Sequence, residues 1–89
     1  MTKIIYTRHA RQDLKRLEKA VARRIIKKLY FFSQQKNTLV FAKKLTNSLI
    51  GQYRFRVGEY RILFDVDKKG NMQILVILKI KHRKDIYGL

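Results

Sequence analysis

The sequence predicts a single α+β domain with an N-terminal strand, a two-helix hairpin and then a three-stranded antiparallel meander, in which the helices pack on one face of the sheet. Three observations indicate this fold class: a β-branched segment opens the chain, helical periodicity follows, and the second half alternates apolar with basic residues. A chain of 89 residues has room for one hydrophobic core. We therefore expect residues 1–89 to form one domain.

The first half of the chain predicts a strand followed by a two-helix hairpin. Lys3–Tyr6 is short and β-branched, which indicates a strand. Thr7 is suited to cap a helix, because its hydroxyl can accept a hydrogen bond from a free amide of the first turn. A polar loop at Gln34–Thr38 and a short helical turn at Leu39–Leu45 should precede the second half. The apolar positions at helical spacing are Ala10, Leu14 and Leu17 in the first helix, and Val21, Ile25, Leu29 and Phe32 in the second.

The second half is organised around a β-hairpin. Tyr53–Val57 alternates apolar and basic residues, and so does the start of Tyr60–Val66, which predicts two strands with one buried face. The link Gly58-Glu59 suits a type II′ turn, whose first central position favours glycine. A two-residue turn sets the register of the strands. The expected apolar pairs are Val57 with Tyr60, Phe55 with Ile62 and Tyr53 with Phe64.

The other face of this hairpin carries a cluster of arginines. In the same register Arg56 lies opposite Arg61, and Arg54 lies opposite Leu63. Like charges directly across a ladder oppose folding, so the cluster is expected to serve a partner outside the fold. The whole chain has 22 Lys and Arg against 6 Asp and Glu, a net charge of +16. Such an excess favours a polyanionic partner, either nucleic acid or an acidic protein.

A turn at Asp67–Asn71 and an apolar strand at Met72–Ile80 complete the predicted sheet. If the turn closes with Val66 opposite Met72, the helix-covered face stays apolar throughout. The expected pairs are Val66 with Met72, Phe64 with Ile74, Ile62 with Val76 and Tyr60 with Leu78.

This register has two consequences for the face of the sheet away from the helices. It adds Lys79 and Lys81 to the arginine cluster. It also leaves apolar side chains uncovered, as a patch that a partner segment could occupy. The residues of this patch are Leu63, Leu75 and Ile77.

Composition argues against several other classes of protein. There is no cysteine, which excludes disulfides and thiolate sites and fits a cytoplasmic protein. No apolar run approaches the roughly 18 residues of a membrane span, and no apolar leader is present, so neither a membrane partner nor secretion is expected. The acidic residues are scattered rather than grouped at metal-site spacing, which argues against a two-metal nuclease. No cofactor is expected.

Two motifs together resemble the RelE/ParE toxin superfamily, on its RelE side. The first is the run Leu49–Phe64, which contains Gly-Glu-Tyr-Arg, and the second is His82–Tyr87, which is His-Arg-Lys-Asp-Ile-Tyr. The resemblance covers nearly the whole chain. It implies a RelE-like fold and a toxin of a bacterial or archaeal toxin–antitoxin pair, blocked by a cognate antitoxin. RelE-like members are endoribonucleases (mRNA interferases) that enter the decoding site of the small ribosomal subunit and cleave mRNA there without a metal.

The resemblance also implies roles for individual residues. Metal-free RNA cleavage needs removal of the 2′-hydroxyl proton, stabilisation of charge on the phosphate, and a proton for the leaving oxygen. Family members often carry lysines in place of Arg54 and Arg56, and because arginine rarely deprotonates, the assignment of the base shifts toward His82. The candidate catalytic residues are Arg61, His82, Arg83 and Tyr87. The candidate RNA-binding residues are Arg54, Arg56, Lys79 and Lys81.

Several alternatives stay open at this point. Arg83 fits the motif and Lys81 fits the strand alternation, so either could supply the second phosphate contact. A histidine near a C-terminus is often a plain surface residue, and Tyr87 would serve equally well as a core anchor. A ParE-like toxin that poisons DNA gyrase would share the fold, although such relatives usually lack the full basic, His and Tyr set. A non-catalytic nucleic-acid-binding module would also explain the charge.

Overall fold

The computed structural model describes residues 2–46 and 49–86, and its first half forms the predicted strand and two helices. β1 spans Thr2–Tyr6, α1 spans Arg8–Lys15 and α2 spans Lys19–Gln34. Thr7 caps α1 as expected, because its Oγ1 accepts a hydrogen bond from the backbone amide of Ala10 at 3.2 Å. None of the described helices is both long and apolar enough to cross a membrane.

Four further strands complete one five-stranded sheet with β1. β2 spans Ala42–Lys44, β3 spans Tyr53–Val57, β4 spans Tyr60–Lys69 and β5 spans Met72–His82. The strand order is β1-β5-β4-β3-β2, with β1 parallel to β5 and every other neighbouring pair antiparallel. This arrangement confirms the predicted α+β fold class, with a helix hairpin between the first strand and an antiparallel meander.

The strand β2 was not predicted. In place of a helical turn through Leu39–Leu45, the chain makes a 3₁₀ turn at Thr38–Phe41 and then pairs with β3. Ala42 lies opposite Phe55, and the two lysines that follow continue the ladder. Alanine and lysine are poor strand formers, so the segment itself does not indicate a strand. The backbone N–H and C=O groups on the open edge of β3 pair with this segment, and this pairing stabilises the strand although its residues have low strand propensity.

The register between β3 and β4 is the predicted one, but the register between β4 and β5 is not. Val66 pairs with Leu75 rather than with Met72. β4 continues to Lys69, so the strands are joined by a tight turn at Gly70-Asn71, where Gly70 adopts a φ of +60°. The observed pairs include Lys69 with Met72, Val66 with Leu75, Phe64 with Ile77, Ile62 with Ile80 and Tyr60 with His82.

This register removes the predicted apolar patch. A β-bulge between Leu63 and Phe64 shifts the alternation of β5, and Leu75 and Ile77 turn toward the helices, where both are fully buried. Leu63 does point away from the helices, but it lies beside Gly51 and is only 1% exposed. The expectation of an uncovered Leu63, Leu75 and Ile77 surface is therefore wrong.

The hydrophobic core lies between the helices and one face of the sheet. Ile25 and Leu29 of α2 are buried in it. At its centre the Phe55 ring stacks on Phe32 of α2, with centroids 4.5 Å apart, and on Phe64 of β4, at 4.3 Å. Because side chains alternate along β3, burial of Phe55 fixes its two arginine neighbours on the opposite face.

Candidate functional site

Four arginines and one lysine surround a shallow pocket, which we call the arginine pocket. It has a volume of about 410 Å³. Among the residues that the structure describes, no acidic side chain lines it. Guanidinium groups match the geometry of phosphate oxygens, so this lining favours a phosphate-bearing ligand. The lining residues are Arg54, Arg56, Arg61, Arg83 and Lys84.

Strand alternation places three of these arginines on the face away from the helices. Arg54 and Arg56 flank the buried Phe55, so both point to the opposite side of the sheet. Arg56 lies directly opposite Arg61 in the ladder, as the turn between β3 and β4 predicts. This repulsive pair is therefore a feature of the folded protein, and it makes the face receptive to an anion.

Arg61 is the most buried cation of the pocket. It is 8% exposed, and its guanidinium donates hydrogen bonds of 3.0 Å to the carbonyl oxygens of both Gly58 and Tyr60. Gly58 has a φ of +56°, the sign that the first central position of a type II′ turn requires. The hairpin turn thus holds the guanidinium in one position before any ligand binds.

The electrostatic environment of Arg61 disfavours its positive charge. Burial lowers the pKa of Arg61, and the neighbouring guanidinium groups lower it further. Arginine nevertheless keeps its proton in proteins, so the repulsion persists in the folded state. A bound phosphate would offset it. The neighbours that lower the pKa are, in order of effect, Arg56, Arg54 and Arg83, and the carboxylate of Glu59 opposes them.

The end of β5 brings the remaining two cations to the pocket. A 3₁₀ turn at Arg83–Asp85 follows the strand directly. The Arg83 amide donates to the Glu59 carbonyl oxygen at 2.7 Å, and its Nε lies 2.5 Å from a Glu59 carboxylate oxygen. Glu59 therefore connects the turn at Arg83–Asp85 to the turn between β3 and β4, through one backbone hydrogen bond and one ion pair. Lys84, which sequence reasoning missed, reaches the pocket because the chain turns here instead of continuing as a strand.

His82 caps this turn and does not line the arginine pocket. Its Nδ1 accepts a hydrogen bond from the Lys84 backbone amide at 3.1 Å, and its ring packs edge-on against Tyr60 with centroids 5.3 Å apart. An accepting Nδ1 places the proton of the neutral ring on Nε2. The residues that ordinarily cap such turns are Ser, Thr, Asn and Asp, so a capping histidine gave no recognisable signal for the turn or for Lys84.

Two further predicted residues, Lys79 and Lys81, lie outside the arginine pocket. Lys79 lines a separate surface depression beside Leu78. Lys81 lies opposite Arg61 in the ladder, but its Nζ is 2.8 Å from a carboxylate oxygen of Asp13 and it does not line the arginine pocket. Tyr87 lies outside the described residues. Of the seven predicted site residues that the structure describes, it thus brings together four, Arg54, Arg56, Arg61 and Arg83.

The chemistry available in the arginine pocket is that of its own cations. Across residues 2–46 and 49–86, no three His, Cys, Asp or Glu side chains are grouped in a way that could hold a metal ion. What the pocket offers is a concentration of positive charge from arginine and lysine side chains around one small volume. Such groups bind a phosphate and stabilise charge that develops on it.

Comparison with known proteins identifies the family. A family model described as the ParE toxin of type II toxin–antitoxin systems, parDE, matches residues 4–87. The chain belongs to the ParE toxin family. This result confirms the superfamily indicated by the two motifs, and it makes the chain a toxin of a type II toxin–antitoxin system.

Several proteins similar to this ParE-family toxin carry RelE-type names. The chain is 32% identical over 82 residues to Toxin RelG of Mycobacterium tuberculosis, covering 92% of this chain and 91% of RelG. The toxin–antitoxin complex RelBE2 of the same organism matches with a TM-score of 0.75 and 28% identity, over 91% of this chain and 96% of that one. A RelB–RelE complex from Methanococcus jannaschii matches with a TM-score of 0.61 and 25% identity, over 93% and 94%.

Proposed function

We propose that this ParE-family toxin is a ribosome-dependent endoribonuclease that cleaves mRNA in the cytoplasm and so inhibits translation. The observation that carries the proposal is the arginine pocket, where four arginines and one lysine line a volume of about 410 Å³. The phosphate of an RNA strand gains negative charge as its 2′-hydroxyl attacks, and donors fixed in advance stabilise that charge. The similarity to RelG and RelBE2 supports the RelE side, and the ribosome follows from the RelE-like motifs.

Each cation has a role that follows from how it is held. Arg61, fixed by two carbonyl oxygens, stabilises the phosphate in the transition state. Arg83, fixed by Glu59, is the second donor to the same phosphate. Arg54 and Arg56 hold the RNA backbone on either side of the scissile bond.

Proton transfer involves the C-terminal turn. Because Nδ1 of His82 accepts the Lys84 amide, a neutral ring with its proton on Nε2 has no other nitrogen free to act as a base. Base catalysis by His82 therefore requires this hydrogen bond to open when RNA binds. Lys84, which lines the pocket, is placed to donate a proton to the leaving 5′-oxygen. Tyr87 supplies either stacking on a base or a second proton donor.

We expect the purified toxin to cut a message in a translating extract and to leave the same RNA nearly intact when it is naked. The ribosome would supply the RNA conformation that lines up the 2′-hydroxyl with the phosphate. Primer extension on the recovered message measures the cuts. The control is the same message without its start codon, which should stay whole. Equal cutting of translated and naked RNA would contradict dependence on the ribosome.

Poisoning of DNA gyrase is a second candidate function, favoured by two observations. The matching family model is described as a ParE toxin. In addition, no described side chain that lines the arginine pocket is one that ordinarily loses its proton near neutral pH. Intact messages together with inhibition of gyrase supercoiling would establish this function instead. Tight, salt-dependent RNA binding without cleavage during translation would indicate a plain RNA-binding module.

A cognate antitoxin is the expected protein partner, and α2 offers it a surface. With the predicted patch on the sheet buried, exposed apolar side chains gather instead on the outer side of α2 and the 3₁₀ turn that follows it. Arg23 and Lys27 flank this surface, which we call the α2 surface, and suit an acidic, amphipathic segment. RelBE2 and the M. jannaschii relative are both described as toxin–antitoxin complexes. The exposed apolar residues are Ile26, Tyr30, Phe31, Val40 and Phe41.

We expect Tyr30→Asp to weaken binding of the antitoxin by about 30-fold, since it replaces a 62% exposed aromatic anchor with a charge that repels an acidic segment. The protein encoded beside the toxin gene serves as ligand in calorimetry. Ile5→Asp is the matched control, because Ile5 is an exposed apolar residue of β1. If Ile5→Asp weakens binding and Tyr30→Asp does not, the antitoxin docks elsewhere than on the α2 surface.

A further inference from the structure

Asp13 is a buried carboxylate on α1 that plays no part in the arginine pocket. Its side chain is 4% exposed. Oδ2 accepts a hydrogen bond from the backbone amide of Ile80 at 2.9 Å, and Oδ1 accepts one from Lys81 Nζ at 2.8 Å. Oδ2 also lies 3.5 Å from Nε2 of His9. A carboxylate is retained in such a place only when its charge and lone pairs are engaged.

The backbone sets the position of this carboxylate independently of Lys81. β1 ends at Tyr6, which pairs with Ile77, whereas β5 continues to His82. Beyond Ile77, β5 has no strand partner on that edge among the described residues, and α1 packs there instead. Asp13 takes the place of a strand carbonyl for the Ile80 amide. The carboxylate is thus fixed beside the sheet edge before any side-chain cation reaches it.

Lys81 is the residue that this arrangement redirects. Lys81 lies opposite Arg61 in the β4–β5 ladder, and Arg56 lies opposite Arg61 in the β3–β4 ladder. The three residues therefore form one row across the sheet. Strand alternation puts the base of its side chain on the face of the arginine pocket. The ammonium group nevertheless reaches over the sheet edge to Asp13, and Lys81 is absent from the pocket lining.

We propose that Asp13 is a positioning residue that diverts the Lys81 ammonium from the arginine pocket and so limits the number of cations that meet an RNA backbone there. A further cation against Arg61 would add to the repulsion among guanidinium groups that already face one another. With the Lys81 ammonium diverted, Arg61 keeps its hydrogen bonds to the carbonyl oxygens of the hairpin turn. The inference rests on the proposed function only in the choice of RNA as the ligand.

The test measures how steeply RNA binding depends on salt, because each lysine or arginine that pairs with a phosphate of single-stranded RNA adds about 0.7 to the slope of log K against log salt. The probe is a short 2′-O-methyl oligoribonucleotide, which the proposed cleavage through the 2′-hydroxyl cannot destroy. Asp13→Asn keeps an acceptor for Ile80 but releases Lys81. We expect its slope to be about 0.7 steeper, and its affinity about fivefold higher at 0.1 M salt, than those of the unmodified toxin.

Two further variants separate release of Lys81 from a general change of charge. Asp67→Asn makes the same change in net charge on the exposed, far part of β4 and should leave the slope as it is. Adding Lys81→Met to Asp13→Asn should return the slope to that of the unmodified toxin. An unchanged slope in Asp13→Asn overturns the proposal, and so does a steeper slope that persists in the double variant.

Lys81→Met alone keeps the proposal testable if Asp13→Asn does not fold. A diverted lysine contributes no phosphate contact, so this variant should keep its slope, whereas Arg56→Met should lose about 0.7. Equal losses in the two variants would show that Lys81 already contacts RNA, and they would overturn the diversion. Absence of binding by every variant would overturn it as well. Binding that follows the expected pattern without cleavage in translating extracts would reject the nuclease and leave the role of Asp13 standing.

Discussion

Arg61→Ala is expected to reduce mRNA cleavage in a translating extract by at least about 100-fold, the usual cost of removing one donor that stabilises a developing oxyanion. The guanidinium is buried and held by the carbonyl oxygens of Gly58 and Tyr60, so no neighbouring cation can take its exact place. Primer extension of a translated message provides the rate. Arg61→Lys keeps the charge but loses the paired donors, and we expect it to recover only part of the activity.

The same substitution should leave the fold largely intact. Arg61→Ala removes two hydrogen bonds to turn carbonyls, but it also relieves repulsion with Arg56 and the other arginines of the pocket. These effects oppose each other, so the free energy of unfolding should change by less than about 1 kcal/mol. Lys69→Ala, at the end of β4 near Gly70, is the control and should cut messages at the full rate. Full cutting by Arg61→Ala would refute the arginine pocket as the catalytic site.

Phe55→Ala is expected to lower the free energy of unfolding by about 3–5 kcal/mol, the cost of removing a large aromatic ring from a packed core. Phe55 is fully buried, and its ring stacks between Phe32 and Phe64 with centroid distances of 4.5 and 4.3 Å. For a domain of this size the loss corresponds to a fall in Tm on the order of 20 °C. Thermal unfolding followed by circular dichroism measures it.

Phe31→Ala is the matched control for this prediction. Phe31 is 47% exposed, so the same change of side chain should cost less than about 1 kcal/mol. Phe55 also separates Arg54 from Arg56 on β3, and loss of its packing should disorder both guanidinium groups and reduce cleavage. Similar melting of Phe55→Ala and the unmodified toxin would mean that the aromatic stack does not support the arginine pocket.

Much of the site follows from local features of the sequence. The two-residue turn at Gly58-Glu59 sets the register of β3 and β4 by counting alone, and Arg56 does lie opposite Arg61. Alternation around Phe55 then decides which face carries the arginines. Both inferences succeed because they depend only on residues close together in the chain, whose geometry is determined by strand period and turn length.

Only the tertiary structure decided the remainder, because it depends on contacts between distant parts of the chain. The register of β5 follows from the position of the Gly70-Asn71 turn and from a bulge whose cost depends on packing. Lys81 pairs with Asp13 across 68 positions of sequence, and no local pattern could favour this partner over a phosphate. Lys84 joins the arginine pocket because the chain turns after His82 and fastens to Glu59. Alternation and turn length thus determined which face is basic, whereas competition among long-range partners determined which cations the pocket contains.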